Sequence, residues 1–209
     1  MKGVTTSMKK LLLTGFVPFL DFPVNPTEEI VKSLDGETIN GYQIISKILP
    51  VDFQQSEKEI IQHYEEIKPD AVVSLGLAGG RQHITPERIA INCKDGAPDN
   101  NGVICEDEPI SNDGPAGYFS TLPIRAMVNS LKEHGYPAKI SNTAGTYLCN
   151  NVMYAVLQKI EKEQTPIPAG FIHIPASHEL AIQLKNSPSW SQRDLTEAIR
   201  ICLRTLKTD

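Results

Sequence analysis

The chain has few cysteines, and their spacing is not typical of a metal site or a disulfide framework. Its four cysteines, Cys93, Cys105, Cys149 and Cys202, are scattered over 209 residues without a Cys-x-x-Cys or cysteine and histidine pattern. A chain of this length and ordinary composition does not depend on disulfides for a stable core. We therefore expect reduced thiols, no metal site and a cytoplasmic protein.

Basic clusters and long apolar runs are also missing. The formal net charge is −5, and no stretch interleaves basic and aromatic residues, which argues against nucleic acid as a partner. No stretch approaches the roughly 20 apolar residues of a membrane span. Residues 1–20 have the outline of a signal peptide, but Gly15, Pro18 and Asp21 interrupt the apolar part and no small-residue cleavage site follows. We expect neither a nucleic-acid nor a membrane partner.

The residues that are present indicate an α/β protein. The chain is 40% apolar and 22% charged, which suits one domain of about 200 residues. Strand-like runs alternate with helical patterns, which predicts a three-layer α/β/α sandwich around a twisted, largely parallel (mixed) open sheet. The predicted strands are 11–14, 44–49, 71–75, 89–92, 138–141 and 170–174, and the predicted helices are 26–34, 53–67, 122–133, 150–163 and 192–206.

Domain organisation follows from the same patterns. We expect residues 1–7 to be a loose N-terminal extension and residues 8–209 to form a single α/β domain. Residues 94–121 form a polar connection that is rich in glycine and proline. Because connections of that length are usually functional or mobile, we expect this one to border the site or to carry an oligomer contact.

Cys149 is the best candidate for a nucleophile. It lies where the predicted strand 138–141 leads, through residues 143–148, into a helical pattern that begins near Asn150. A thiol at a helix N-terminus is close to the positive end of the helix dipole, which favours the thiolate, and free backbone N–H groups there can hold an oxyanion. The alternative is a small buried hydrophobic residue. The placement predicts attack on an amide or ester carbonyl.

His173 and Glu87 are candidate partners of this cysteine. His173 stands in an apolar strand that ends at Pro175, and Glu87 stands just before another apolar run. The alternatives are a core histidine bonded to a carbonyl and a surface ion pair of Glu87 with Arg88. A nucleophile, a base and a carboxylate that orients the base are often far apart in sequence and close in space. We interpret the three residues as a catalytic triad.

Seven segments, in order and in register from Met8 to about residue 205, resemble the pyroglutamyl peptidase I family, also called the pyrrolidone-carboxylate peptidases. Each segment is weak evidence alone, but their joint order is specific. They are Leu12-Leu13-Thr14-Gly15-Phe16 with Pro18-Phe19, Asn25-Pro26, Gly79-Gly80-Arg81, Ile84-Thr85-Pro86-Glu87-Arg88, Pro98-Asp99-Asn100, Ala144-Gly145-Thr146 with Cys149-Asn150, and Phe171-Ile172-His173-Ile174-Pro175.

The resemblance implies a cysteine peptidase that removes an N-terminal pyroglutamyl (5-oxoprolyl) residue from a small peptide. It implies Cys149 as nucleophile, His173 as general base and acid, and Glu87 as the residue that orients the imidazole, without a metal or organic cofactor. It also implies a homo-oligomer, either a dimer or a tetramer. The implied substrate-binding residues form the walls of a pocket for a small flat ring, although core packing is the alternative for the aromatic ones: Phe16, Phe19, Asn25, Tyr147 and Leu148.

The chain departs from the family pattern in its implied substrate pocket. Leu77 stands where the family typically has a glutamine that helps to recognise the lactam. The loop before Pro98 is shorter and lacks an arginine that commonly lines the site, and Leu20-Asp21 replaces the usual Gly-Gly after Phe19. Two alternatives therefore stay open at the level of sequence. They are a relative that binds a small ligand without turnover and a hydrolase for another small acyl group.

Overall fold

A computed structural model describes residues 8–20, 22–184 and 187–207. The predicted extension at residues 1–7 and position 21 lie outside the described residues. The helices are α1 (Pro26–Leu34), α2 (Gln55–Ile67), α3 (Ile124–Glu133), α4 (Leu148–Glu163), α5 (His178–Ala181) and α6 (Gln192–Leu203). The strands are β1 (Lys9–Phe16), β2 (Thr38–Ile39), β3 (Tyr42–Leu49), β4 (Ala71–Leu77), β5 (Thr85–Pro86), β6 (Ile89–Ile91), β7 (Gly117–Phe119), β8 (Ala169–Ile174), β9 (Ala176–Ser177) and β10 (Ser189–Trp190).

The main sheet has six strands in the order β2-β3-β1-β4-β8-β5. The four inner strands are parallel, and the short strands β2 and β5 pair antiparallel at the two edges. Leu11 of β1 is in register with Ile44 of β3 on one side and with Ala71 of β4 on the other. The predicted α/β class with a largely parallel, mixed open sheet is therefore confirmed.

Alternating side chains of the sheet build two apolar clusters. In β1, Leu11 and Leu13 face one cluster, while Leu12 and Phe16 face the other. The first cluster contains the buried faces of α1, α3 and α6, and the second contains those of α2 and α4. A strand with both faces covered reads as a continuous apolar run, as β1 does. The helices thus form the two outer layers that the patterns predict.

Two short predicted strands take a different place in the structure. β6, predicted as a strand at 89–92, pairs with β7 in a separate two-stranded sheet, and β7 lies inside the stretch 94–121 that was predicted to be an irregular connection. Residues 138–141 form isolated parallel bridges at Ala138 and Ser141 instead of a strand. Such short segments take their pairing from tertiary contacts, which local residue patterns do not encode.

Helix ends also differ from the predictions by a few residues. The second helix begins at Gln55 instead of residue 53, the helix after Tyr147 begins at Leu148 instead of about residue 150, and the last one ends at Leu203 instead of residue 206. Differences of this size are typical of frayed ends. Within the part of the chain that the structure describes, no helix is long and apolar enough to cross a bilayer.

Candidate active site

His173 lies near the end of β8, on the sheet face that packs against α4. Its neighbours Ile172 and Ile174 point into the opposite apolar cluster, while Phe171 shares the face of His173, with ring centroids 4.9 Å apart. This alternation follows from the period of two residues in a strand. The imidazole is 5% exposed, so a rigid inner strand fixes the position of a buried, polar ring.

Glu87 is the hydrogen-bond partner of this ring. The residue follows β5, and its backbone N–H donates to Phe171 O (2.9 Å). Its carboxylate is fully buried, and Oε1 lies 2.7 Å from His173 Nδ1. A carboxylate at Nδ1 places the ring proton there and leaves Nε2 as the proton acceptor. The histidine ring is thus held by a carboxylate. The alternative of a core histidine, whose partner would be a carbonyl, is not what the structure has.

The arginine that pairs with Glu87 is Arg81 and not Arg88. Arg81 Nη1 donates to Glu87 Oε1 at 2.6 Å. Arg88, the sequence neighbour, donates from Nε to Asn142 Oδ1 at 2.8 Å instead. The alternative of a surface ion pair between Glu87 and Arg88 is therefore wrong, because Glu87 points into the protein while Arg88 points away from it.

Cys149 lies in the first turn of α4. Gly145 (φ 81°) makes the turn before the helix, and Tyr147 is its extended N-cap residue (φ −85°, ψ −166°). The N–H groups of Leu148 and Cys149 precede the first intrahelical hydrogen bond, so they are free to bind an anion. The side chain of Cys149 is half-buried. The predicted position of the cysteine at a helix N-terminus is therefore present in the structure.

The expected thiolate is not favoured in the free protein. Burial, and then the negative charge of Glu87, raise the pKa of the Cys149 thiol to about 12, against smaller lowering effects of Arg81 and of a backbone N–H. Burial also lowers the pKa of His173, which the hydrogen bond and charge of Glu87 only partly offset. At neutral pH the pair is therefore a thiol beside a neutral imidazole, so the thiol must lose its proton to a base as it attacks.

Cys149 and His173 line one pocket of about 170 Å³ together with all five residues of the implied substrate site, Phe16, Phe19, Asn25, Tyr147 and Leu148. The other lining residues are Val51, Leu77 and Ala144. The walls are therefore mostly apolar, and the two candidate reactive side chains lie together at this surface. A pocket of this size fits a single small ring better than an extended peptide.

The polar side chains of the pocket wall are largely engaged within the protein. Asn25 Oδ1 caps α1 by accepting from Thr27 N (3.1 Å) and Thr27 Oγ1 (2.8 Å), and its Nδ2 donates to Val17 O (3.1 Å). The Tyr147 hydroxyl donates to Pro98 O (3.0 Å) in the connection 94–121, which thus borders the site. Neither side chain is placed chiefly to bind a ligand.

Two residues that sequence reasoning did not assign to the site have clear positions there. Arg81 is one, and the signal for it was its place in the segment Gly79-Gly80-Arg81, which resembles the family. Gly76 is the other, since a Cβ atom at this position would lie 2.8 Å from Cys149 Sγ and 2.6 Å from Phe171 Cε1. Real Cβ atoms do not approach other atoms so closely, so the sulfur occupies space that only glycine leaves open. Among the described residues, no group of histidine, cysteine, aspartate or glutamate side chains is arranged to hold a metal ion.

Comparison with known proteins gives matches across nearly the whole chain. A family model described as pyroglutamyl peptidase matches residues 9–208. A pyrrolidone-carboxylate peptidase of Lysinibacillus sphaericus is 59% identical over 196 residues, covering 94% of this chain and 96% of that protein. One of Oceanobacillus iheyensis is 56% identical over 199 residues, covering 95% and 100%. The solved pyrrolidone carboxyl peptidase from Thermococcus litoralis has a TM-score of 0.91 at 41% identity, covering 94% of this chain and 92% of that one.

Proposed function

Because the chain belongs to the pyroglutamyl peptidase family, we propose that it is a cysteine peptidase that removes N-terminal pyroglutamyl residues from peptides. One observation carries the proposal beyond family membership. Cys149 and His173 line the same small, mostly apolar pocket, and the imidazole of His173 is held from behind by the buried carboxylate of Glu87. A lactam ring is small, flat and uncharged, so it suits such a pocket, whereas a free N-terminal ammonium group would lose its hydration there.

The first half of the reaction forms a thioester. His173 Nε2 takes the Cys149 proton while the sulfur attacks the carbonyl carbon of the pyroglutamyl residue. The resulting oxyanion accepts hydrogen bonds from the free N–H groups at the start of α4. When the intermediate collapses, the C–N bond breaks, and the imidazolium of His173 returns its proton to the leaving amine of the shortened peptide.

The second half of the reaction releases the acyl group. His173 takes a proton from a water molecule as that water attacks the thioester, and the C–S bond then breaks. Pyroglutamate leaves, and the proton passes from His173 back to the sulfur of Cys149. Glu87 holds the ring in one tautomer and orientation through both halves. Every proton transfer uses Nε2, so the cycle requires no further acid or base.

A panel of fluorogenic amides tests the proposal. The wild type is assayed on pyroglutamyl, prolyl, acetyl and alanyl amides, with Cys149→Ala as the blank. We expect cleavage of the pyroglutamyl amide with a specificity constant at least about 100-fold above the others, since the prolyl and alanyl amides carry a charged amine and the acetyl group leaves the space for the ring unfilled. Equal rates on all four amides, or a preference for another acyl group, would disprove the assigned substrate.

We further propose that the enzyme works in the cytoplasm as a homo-oligomer, either a dimer or a tetramer, without nucleic-acid or membrane partners. The free state of all four cysteines supports a reducing compartment, and the family resemblance supports assembly. Light scattering coupled to size exclusion measures the mass directly. A particle of 23.0 kDa, the mass of one chain, would contradict the assembly.

A further inference from the structure

We propose that Arg81 is a positioning residue of the catalytic group, whose guanidinium holds the Glu87 carboxylate in place as an anion and thereby keeps His173 available as a neutral base. This inference rests on the proposed function, because it assigns Arg81 a task in the same reaction. It adds a fourth side chain to the group formed by Cys149, His173 and Glu87.

A single oxygen atom of Glu87 joins the histidine and the arginine. Glu87 Oε1 accepts from His173 Nδ1 at 2.7 Å and from Arg81 Nη1 at 2.6 Å. The other oxygen, Oε2, is buried and has no hydrogen-bond partner among the described residues. Arg81 thus fixes the same atom that orients the imidazole, so a movement of the guanidinium would be transmitted directly to the ring.

Arg81 itself is held in place by several hydrogen bonds. Its Nη1 also donates to Thr85 Oγ1 (2.7 Å), and its Nη2 donates to Thr143 O (3.4 Å). Its backbone N–H closes a tight turn by donating to Ala78 O (2.9 Å). The side chain is only 30% exposed. A planar guanidinium can serve three acceptors in fixed directions, which a lysine ammonium on a flexible stem does not reproduce.

Arg81 also compensates the negative charge of Glu87. A fully buried carboxylate is costly unless a cation compensates it, and Arg81 is the cation in contact with Glu87. Burial alone would raise the pKa of Glu87, but the hydrogen bond and charge of His173 and hydrogen bonds of Ser141 and Arg81 lower it overall. In the structure the Ser141 hydroxyl donates to Thr143 O (3.0 Å), whereas Arg81 contacts the carboxylate directly.

The effect of Arg81 on His173 has a definite sign. The groups that face the imidazole are Glu87 after β5, Arg81 in the turn before β5 and Cys149 on α4. The positive charge of Arg81 lowers the pKa of His173, although burial is the larger cause. Removing that charge raises the proton affinity of the Glu87 and His173 pair, whichever of the two carries the proton. Without Arg81, the pair would therefore stay protonated, and His173 unable to act as a base, up to a higher pH than in the wild type.

The test compares Arg81→Gln, Arg81→Lys and the matched control Arg88→Gln, which removes a guanidinium from the same segment without touching Glu87. The His173 ring is followed by NMR titration, with its signal assigned by its loss in His173→Ala, and kcat/KM is measured against pH. For Arg81→Gln we expect the apparent pKa of the pair and the acid limb of kcat/KM to rise together by about half a pH unit or more, with kcat near neutral pH about 10- to 100-fold lower and KM little changed.

The remaining variants separate charge from geometry. Arg81→Lys keeps the cation, so we expect a smaller shift of the apparent pKa but still a lowered kcat, and Arg88→Gln should match the wild type in both. An unchanged apparent pKa in Arg81→Gln would overturn the proposal. If Arg81→Gln does not fold, full activity of Arg81→Lys would overturn it instead. The NMR titration needs no substrate. It therefore tests the role of Arg81 even if the protein does not cleave the pyroglutamyl amide. If the wild type is active and the apparent pKa does not shift in Arg81→Gln, only the role of Arg81 is contradicted.

Discussion

The two sides of the pocket are built in opposite ways. On the reactive side, buried polar groups are linked in series, since Arg81 and His173 share one oxygen of Glu87. On the recognition side, the wall is made of apolar surface from residues such as Phe16 and Leu148, and the side-chain oxygen of Asn25 is occupied in capping a helix. The reactive side positions its groups through hydrogen bonds of fixed direction, whereas the recognition side depends mainly on the shape of its apolar wall.

The difference shows where each kind of change should act. A linked series of polar groups works as a unit, so removing one member should affect the chemical step strongly and non-additively. An apolar wall contributes through many small contacts, so a single change there should alter binding and selectivity by a modest factor. Five substitutions test this division, from the largest expected effect to the smallest.

Cys149→Ala should abolish the reaction and leave binding to the pocket intact. Without the sulfur no thioester forms, and we expect kcat to fall by about 10⁴-fold or more, while pyroglutamate binding to the pocket persists. His173→Ala should cost nearly as much, because nucleophile and base act together. Stopped assays give the rate and calorimetry gives the binding. Cys93→Ala, a partly exposed thiol outside the pocket, is the control, and activity remaining in Cys149→Ala would remove this residue from the mechanism.

Glu87→Gln should weaken the reactive side without erasing it. The amide keeps the size of the carboxylate but loses its charge, so the imidazolium formed during attack is less stabilised and Arg81 loses its partner. We expect kcat to fall by about 10²- to 10³-fold, less than for the nucleophile. Steady-state kinetics with a melting curve for each variant measures this. Full activity in a folded Glu87→Gln protein would show that the carboxylate does not orient the base.

Gly76→Ala should move the nucleophile without changing any polar group. The new methyl group would stand 2.8 Å from Cys149 Sγ and 2.6 Å from the Phe171 ring, so the sulfur has to shift. Since a misplacement of about 1 Å can cost about 10²-fold in rate, we expect kcat to drop by about 10- to 100-fold. Gly80→Ala is the matched control, because no atom lies within 4 Å of its added Cβ. Equal activity of the two variants would refute the steric argument.

Part of this arrangement follows from sequence patterns alone. The apolar run that ends at Pro175 predicts β8, and the helical pattern after Tyr147 places Cys149 near a helix start. Sequence patterns do not predict which arginine pairs with Glu87. The pairing depends on a turn closed by the hydrogen bond from Arg81 N–H to Ala78 O, and this turn brings Arg81 closer to Glu87 than the adjacent Arg88. The raised pKa of Cys149 likewise arises from burial and from Glu87, which are tertiary features.

The recognition side is tested by Leu77→Gln, for which we expect the smallest change and a gain. Leu77 ends β4 and lines the pocket, and its side chain has no hydrogen-bonding group to offer a lactam. A buried hydrogen bond that is otherwise missing contributes about 1–3 kcal/mol. We therefore expect kcat/KM for a pyroglutamyl amide to rise by about tenfold, since about 1.4 kcal/mol corresponds to a factor of ten.

The controls for Leu77→Gln decide whether the gain comes from the lactam or from the shape of the pocket. Leu77→Met changes shape at nearly constant volume and adds no amide, so it should leave the pyroglutamyl rate unchanged. A prolyl amide has the ring without the lactam oxygen, so the glutamine should not improve its cleavage, and Cys149→Ala gives the blank. If Leu77→Gln folds and gains nothing on the pyroglutamyl amide, then the side chain at position 77 does not limit recognition. Discrimination would then rest on the apolar walls and on backbone groups around Cys149.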